Sequence, residues 1–252
     1  MSNFDRNVAA RGSFADRATA VDAGLRAYML RVYNYMASAV ALTGVVAWTT
    51  FNAAVETDAA GKIVNLTAFG KAVFSGPLMI VLLLGTLGLV FFISFRIQKL
   101  QYTTAMALFM LYAGLLGVTL SSIFLTYTGA SITRVFFISA ASFGALSLYG
   151  YTTQRDLSAM GSFLIMGLFG IIIASLVNIF LKSSGLDWAI SIIGVGVFAG
   201  LTAYDTQRIK EMYDSMDDDG TMGRKAIMGA LSLYLDFINL FMMLLRLVGD
   251  RR

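Results

Sequence analysis

Residues 226–245 read AIMGALSLYLDFINLFMMLL, an apolar run broken by one formal charge, Asp236. A helix that crosses the hydrocarbon core of a bilayer needs ~20 such residues, so this run predicts a transmembrane helix with a carboxylate near its middle. A charged Asp at that depth costs roughly 2.5–3.5 kcal/mol on insertion scales, and one that persists faces a partner or a watery cavity. The preceding apolar stretch, Trp188 to Tyr204, is closed by a second acid, Asp205. Two carboxylates on consecutive membrane-length segments are the first candidates for function.

Working outward, uncharged stretches of similar length recur at Val32 to Phe51, Pro77 to Phe95, Thr103 to Leu125, Val135 to Tyr151 and Gly161 to Leu181; the last extends from Ala226 to Val248. The runs are continuous and do not alternate, so they read as helices and not as barrel strands. The fold class expected is an all-α integral membrane protein built as a seven-transmembrane-helix bundle. The fourth and sixth stretches are short and should cross with little tilt or end in snorkelling neighbours. Residues 1–31 interleave Arg6, Arg11, Arg17, Arg26 and Arg31 with Asp5, Asp16 and Asp22, and lack the apolar core of a signal peptide. They are read as a cytosolic N-terminal tail ahead of a membrane domain spanning 32–252.

Composition supports this reading and narrows the chemistry. Of the 252 residues 58% are apolar and 13% charged, with mean hydropathy +0.74; soluble domains carry about 25% charged residues. The chain has no Cys and no His. Disulfides, thiolate or imidazole metal sites and a cysteine nucleophile are thereby excluded, and titration near neutral pH falls to perturbed carboxylates or the terminal amine. The basic residues sit in short loops beside spans, which suits membrane anchoring and not nucleic-acid binding.

Seven crossings with the N-terminus inside place the tail arginines with Arg96, Lys99, Arg155, Arg208, Lys210, Arg224 and Lys225 on the cytoplasmic side, as the positive-inside rule asks. The rule leaves the C-terminus open, because a re-entrant last segment would also satisfy it. With seven crossings, Arg96 at the end of the second span, Asp205 at the end of the sixth and Asp236 in the seventh gather in the inner half of the bundle. Carboxylates within reach of each other in a low-dielectric site cannot both ionise easily and exchange protons as a unit. Fully ionised, Asp205 and Asp236 would form a hard oxygen site for Ca²⁺ or another cation.

Each polar residue also has a plainer reading. Asp236 could be a packing acid hydrogen-bonded to Asn239 or Tyr234, Asp205 an interfacial residue, and Arg96 an anchor together with Lys99. Asp217, Asp218 and Asp219 read as a solvated loop. Gly194, Gly196 and Gly200, like Gly85 with Gly88, Gly114 with Gly117 and Gly167 with Gly170, read as small residues that let helices approach closely. Asn65-Leu66-Thr67 matches a glycosylation acceptor, a weak signal by itself.

The segment Ala203-Tyr204-Asp205-Thr206-Gln207, with Ile209-Lys210, and the segment Ala230-Leu231-Ser232-Leu233-Tyr234-Leu235-Asp236-Phe237-Ile238-Asn239-Leu240-Phe241 closely resemble the Bax inhibitor-1 family in its bacterial YccA-like branch. Gly117-Val118-Thr119-Leu120 extends the match. The resemblance implies a seven-helix fold with the last helix central, and a di-aspartyl pH sensor carried by Asp205 and Asp236. Beside it, Tyr204, Tyr234 and Asn239 are read from the sequence as supporting polar groups. The resemblance also implies an arginine partner at the inner end of the second helix, for which Arg96 is the choice and Lys99 the alternative.

By the same resemblance the expected function is a pH-sensitive calcium leak, with protons and Ca²⁺ as partners, no tightly bound cofactor, and residence in a bacterial inner membrane. The alternative is a regulator that binds a membrane-bound AAA protease through residues 1–26 without essential transport. A third reading, an intramembrane aspartyl protease, fits Tyr204-Asp205 but fails at Tyr234-Leu235-Asp236, where Gly-x-Gly-Asp is wanted; the chain is not read as an enzyme.

Overall fold

The computed structural model describes the backbone of residues 3–58 and 62–252, with side chains from Asp22 onward. Helix α1 (Asn3–Ala54) leads into a two-stranded antiparallel hairpin, β1 (Val55–Thr57) and β2 (Ile63–Leu66), and then a short helix α2 (Ala68–Ser75). There follow α3 (Pro77–Arg96), α4 (Tyr102–Leu120), a single turn α5 (Ile123–Thr126), α6 (Gly129–Thr152), α7 (Ser158–Leu181), α8 (Ser184–Glu211) and α9 (Asp219–Val248). Seven segments among the described residues are long and apolar enough to cross a membrane, and each contains or overlaps one of the seven predicted stretches.

The helices outrun the apolar stretches. The fourth and sixth spans, expected to be short, have 24 and 28 residues, because capping and snorkelling carry the backbone past the last apolar side chain. Thr128 caps α6 by accepting from Ser131 N at 3.3 Å, and Ser183 caps α8 by accepting from Leu186 N at 3.3 Å. Near the other end of α8, Lys210 donates to the Tyr151 carbonyl at 2.9 Å. The packed core likewise reaches back beyond residue 32, since Tyr28 and Met29 on α1 are buried in it. The protease handle expected within residues 1–26 falls largely on side chains outside the described ones.

The last helix is the axis of the bundle. It is the most enclosed of the spans: 67% of its apolar window is buried against 11% in α3 and in α7. It packs on α8, α1, α6 and α4, with Leu231, Leu233, Tyr234, Leu240 and Leu245 fully covered. Because α9 runs unbroken from Asp219 to Val248, it crosses and does not re-enter. Its C-terminal extension is tied down at the far end: Asp250 N donates to Ser131 Oγ at 2.8 Å and Arg252 N to the Thr126 carbonyl at 2.9 Å. At the opposite end Tyr28 of α1 meets the ring of Tyr213.

The acidic run before α9 is more than a solvated loop. Asp218 caps the helix, its carboxylate accepting from Gly220 N and Thr221 N at 3.0 and 3.1 Å and from the Thr221 hydroxyl. Asp217 pairs with Lys225 at 2.6 Å. In the first loop, Thr67 of the glycosylation match spends its hydroxyl on the cap of α2 and on the Ala53 carbonyl.

The glycine reading holds at some positions and fails at others. A Cβ on Gly117 would come within 2.7 Å of the Thr43 carbonyl oxygen, and one on Gly194 within 2.8 Å of Met243. Gly167 and Gly200 face Val197 and Leu164 closely. Gly85, Gly88, Gly114, Gly170 and Gly196 meet nothing nearby; they lie where the helix has no neighbour to approach. Gly150, which sequence spacing did not single out, abuts the Ala203 backbone carbonyl and sets how closely α6 approaches α8.

Two predictions follow from these contacts. Gly150→Ala should destabilise the detergent-solubilised protein by about 1–3 kcal/mol, the cost of overpacking against backbone, whereas Gly85→Ala should be neutral in the same thermal melt. Hydrogen bonds from the Thr221 side chain and backbone hold the Asp218 carboxyl below the usual carboxylate range. Its stabilisation is therefore complete above the unfolded value near about 3.9 and is lost as pH falls through the lower folded value. Asp218→Ala should lower the melting temperature at about pH 7, with the difference from wild type shrinking toward about pH 2.

Candidate functional site: a carboxyl pair between the last two helices

Helices α8 and α9 lie side by side and antiparallel, and three contacts along their seam fix the register. Near one end Arg246 Nη1 approaches Asp187 Oδ1 at 3.8 Å. Further along, Gly194 faces Met243, and near the other end Gly229 faces Ile209. Small residues at 194 and 229 let the helices close on each other. Within this register Asp205 of α8 falls opposite Asp236 of α9, and the two carboxyls meet at hydrogen-bonding range. Two carboxylates have only acceptors to offer each other, so a hydrogen bond between them requires one proton held in common.

The pair is asymmetric. Asp236 is 5% exposed, and its Oδ2 has no hydrogen-bond partner among the described residues. Asp205 is half-buried, and Arg208, an exposed residue one turn further along α8 at the i+3 spacing that brings side chains together, is a cation close enough to act on it without forming an ion pair. Arg96, the last residue of α3, and Lys99, on the single 3-10 turn Ile97–Lys99 that follows, are exposed and, like Arg208, form no ion pair among the described residues. Helix α3 packs on α4 and α2, whereas the turn that carries Lys99 also touches α9.

The other expected polar groups serve neighbouring joints. Tyr234 is fully buried and meets Thr43 Oγ1 at 2.7 Å. The single Thr43 proton goes to the Ala39 and Ala113 carbonyls, each 2.9 Å away, so Tyr234 is the donor and ties α9 to α1 and α4. Asn239 donates to the Leu235 carbonyl of its own helix at 2.8 Å. Tyr204 lays its ring against Gly161 of α7. Neither Asn239 nor Tyr234 is hydrogen-bonded to Asp236.

A chain of hydroxyls beside the pair was not legible in the sequence. Thr206 donates to the Thr202 carbonyl at 2.7 Å, so it must accept from Ser147, 2.9 Å away, and Ser147 must in turn accept from Tyr33 at 2.6 Å. This directed chain joins α1, α6 and α8 at the residue next to Asp205. Gln207 adds a second brace, donating to the Arg155 carbonyl and accepting from Leu157 N, both at 2.8 Å. Arg208 could have been found by its helical spacing from Asp205; the hydroxyl partners, far apart in sequence, carried no local signal.

A carboxyl pair between the last two helices of a seven-helix bundle can be set beside known proteins. The family described as "Inhibitor of apoptosis-promoting Bax1" matches residues 25–252, the membrane bundle with both acids. The protein RP147 of Rickettsia prowazekii is 52% identical over 231 residues, covering 92% of each chain. The inner membrane protein YbhL of Escherichia coli K12 is 50% identical over 232 residues, covering 91% of this chain and 94% of that one. A protein of Caulobacter vibrioides is 43% identical across the full length of both chains. With the family match spanning the bundle and relatives of this identity along nearly the whole chain, the protein belongs to the Bax inhibitor-1 family of integral membrane proteins.

Proposed function

We propose that this protein is a pH-sensitive cation leak, with Ca²⁺ as a permeant ion, in which the Asp205–Asp236 pair is both sensor and gate. The observation that carries the reading is the meeting of two carboxyls across the α8–α9 seam, one of them deeply buried on the central helix. With one proton shared, the acids bond and hold the two helices together. With none, two like charges about 4 Å apart repel by about 4 kcal/mol at an effective dielectric near 20, a bias on the order of a thousandfold on any two-state contact between them. The hydroxyl chain holds α8 to α6 and α1, and Gln207 holds it to the loop between α6 and α7, so relief of that repulsion falls on the α8–α9 seam.

The donor set suits a passing ion better than a resident one. Ionised, Asp205 and Asp236 offer hard oxygens of the kind Ca²⁺ prefers, while no group of three or more metal-ligating acids forms among the described residues. The name of the Escherichia coli relative and the basic residues clustered on the side of the α1 N-terminus support residence in the inner membrane with the N-terminus in the cytoplasm.

Ca²⁺ entry into dye-loaded proteoliposomes between about pH 5 and 8 tests the reading. Wild type should leak with a pH-dependent rate, and Asp205→Asn or Asp236→Asn should flatten the profile. Flux–pH curves unchanged by both substitutions, or no leak above empty liposomes from folded protein, would overturn it. In the same assay Arg208→Gln should displace the pH midpoint, while Arg96→Gln should leave it in place; the reverse outcome would return the partner role to the second span.

A further inference from the structure

A cleft runs along the seam between α1 and α6. Its larger part is a cavity of about 720 Å³, within the range of small-molecule sites. Met29, Tyr33 and Met36 of α1 form one wall, and Phe143, Gly144 and Leu148 of α6 the other. A second hollow of about 310 Å³ continues the seam past Gly44 and Phe137, where Phe237 and Phe241 of the central helix form its floor. A Cβ on Gly44 or Gly144 would meet nothing, so both glycines deepen the groove and are not packing contacts. The rim is apolar and exposed, Leu30 being 52% and Leu148 62% accessible, and it lies within membrane-spanning segments.

One end of the cleft is cationic. Arg26 lines it and forms no ion pair among the described residues, not even with Asp22 one turn earlier on α1. Tyr151, also at that end, carries the Lys210 ammonium 5.4 Å from its ring centroid. An apolar trough inside the bilayer with two cations at one mouth is complementary to an anionic amphiphile lying along the helices: acyl chain in the trough, phosphate at the basic end. Within the trough Tyr33 lines the wall and donates to Ser147.

We propose that the α1–α6 cleft binds an anionic glycerophospholipid from the leaflet nearest the α1 N-terminus, with an acyl chain between Met36 and Gly144 and its phosphate at Arg26 and Lys210. This goes beyond the leak reading and stands whether or not ions pass. The site abuts the hydroxyl chain that ends beside Asp205, so an occupant rests against the same braces that hold α8 in place.

The test is photolabelling of full-length protein in phosphatidylcholine nanodiscs doped with a phosphatidylglycerol bearing a diazirine on its acyl chain, with labelled peptides mapped by mass spectrometry. Label should concentrate on residues 29–37 and 143–151, above the exposed reference positions Phe95 and Phe180. Gly144→Phe, and independently Ala37→Phe from the opposite wall, should lower seam labelling to the reference level while reference labelling and the melting curve stay unchanged. Arg26→Gln should reduce the preference for phosphatidylglycerol over an equally labelled phosphatidylcholine by about fivefold. Seam labelling no higher than the reference, persistence of label in both filled variants, or seam residues crosslinked to a second copy in place of lipid would overturn the proposal. An unchanged lipid preference in Arg26→Gln would overturn the headgroup assignment.

Discussion

Everything in this bundle is arranged around one electrostatic constraint: a carboxyl at the middle of the most enclosed helix must have something to share its charge with. Asp236 sits on the buried side of α9 next to Phe237, in the most enclosed helix of the bundle, where an unpaired buried charge would cost far more than a hydrogen bond returns. The partner is another acid, Asp205. Two acids can satisfy each other only through a common proton, so on the proposed reading the joint between α8 and α9 is conditional on proton supply in a way that an Asp–Arg pair would not be.

The surrounding architecture makes that condition local. Tyr234 fastens α9 to α1 and α4 through Thr43, and the Tyr33–Ser147–Thr206 chain fastens α8 to α6 and α1. Both helices are thus held by neutral hydroxyl bonds on their outer sides, while the contact between them includes the carboxyl pair. A hydroxyl neither gains nor loses charge over the physiological range, so a change in proton occupancy leaves the braces intact and acts on the seam. The α1–α6 cleft leaves one of these braces, Tyr33, accessible from the lipid side, which gives the bilayer itself a route to the same joint.

Much of this could be read from the chain alone. The span count and the central place of the last helix rested on continuous apolar runs and on the motif around Asp236, both strong signals. The juxtaposition of Asp205 and Asp236 followed from their positions along consecutive antiparallel spans. What the sequence could not convey was lateral arrangement. Arg96 lies at the correct depth but on a peripheral helix, and depth alone cannot distinguish it from Arg208, which has the right depth and also the right face of α8. Close packing at Gly150 and the open surroundings of Gly85 are likewise identical as letters; only the neighbouring helix distinguishes them. The Asp217–Asp219 run looked like a solvated loop because capping depends on backbone direction, which charge counts do not record.

The central claim is that one proton belongs to both acids. Infrared difference spectroscopy of the reconstituted protein across a pH titration reads it directly through the carbonyl stretch of a protonated carboxyl. The account predicts one titrating protonated-carboxyl band in wild type that is abolished or moved to a new frequency by either Asp205→Asn or Asp236→Asn. A band that survives unaltered in one of the two variants would show the acids titrating independently, and would contradict it.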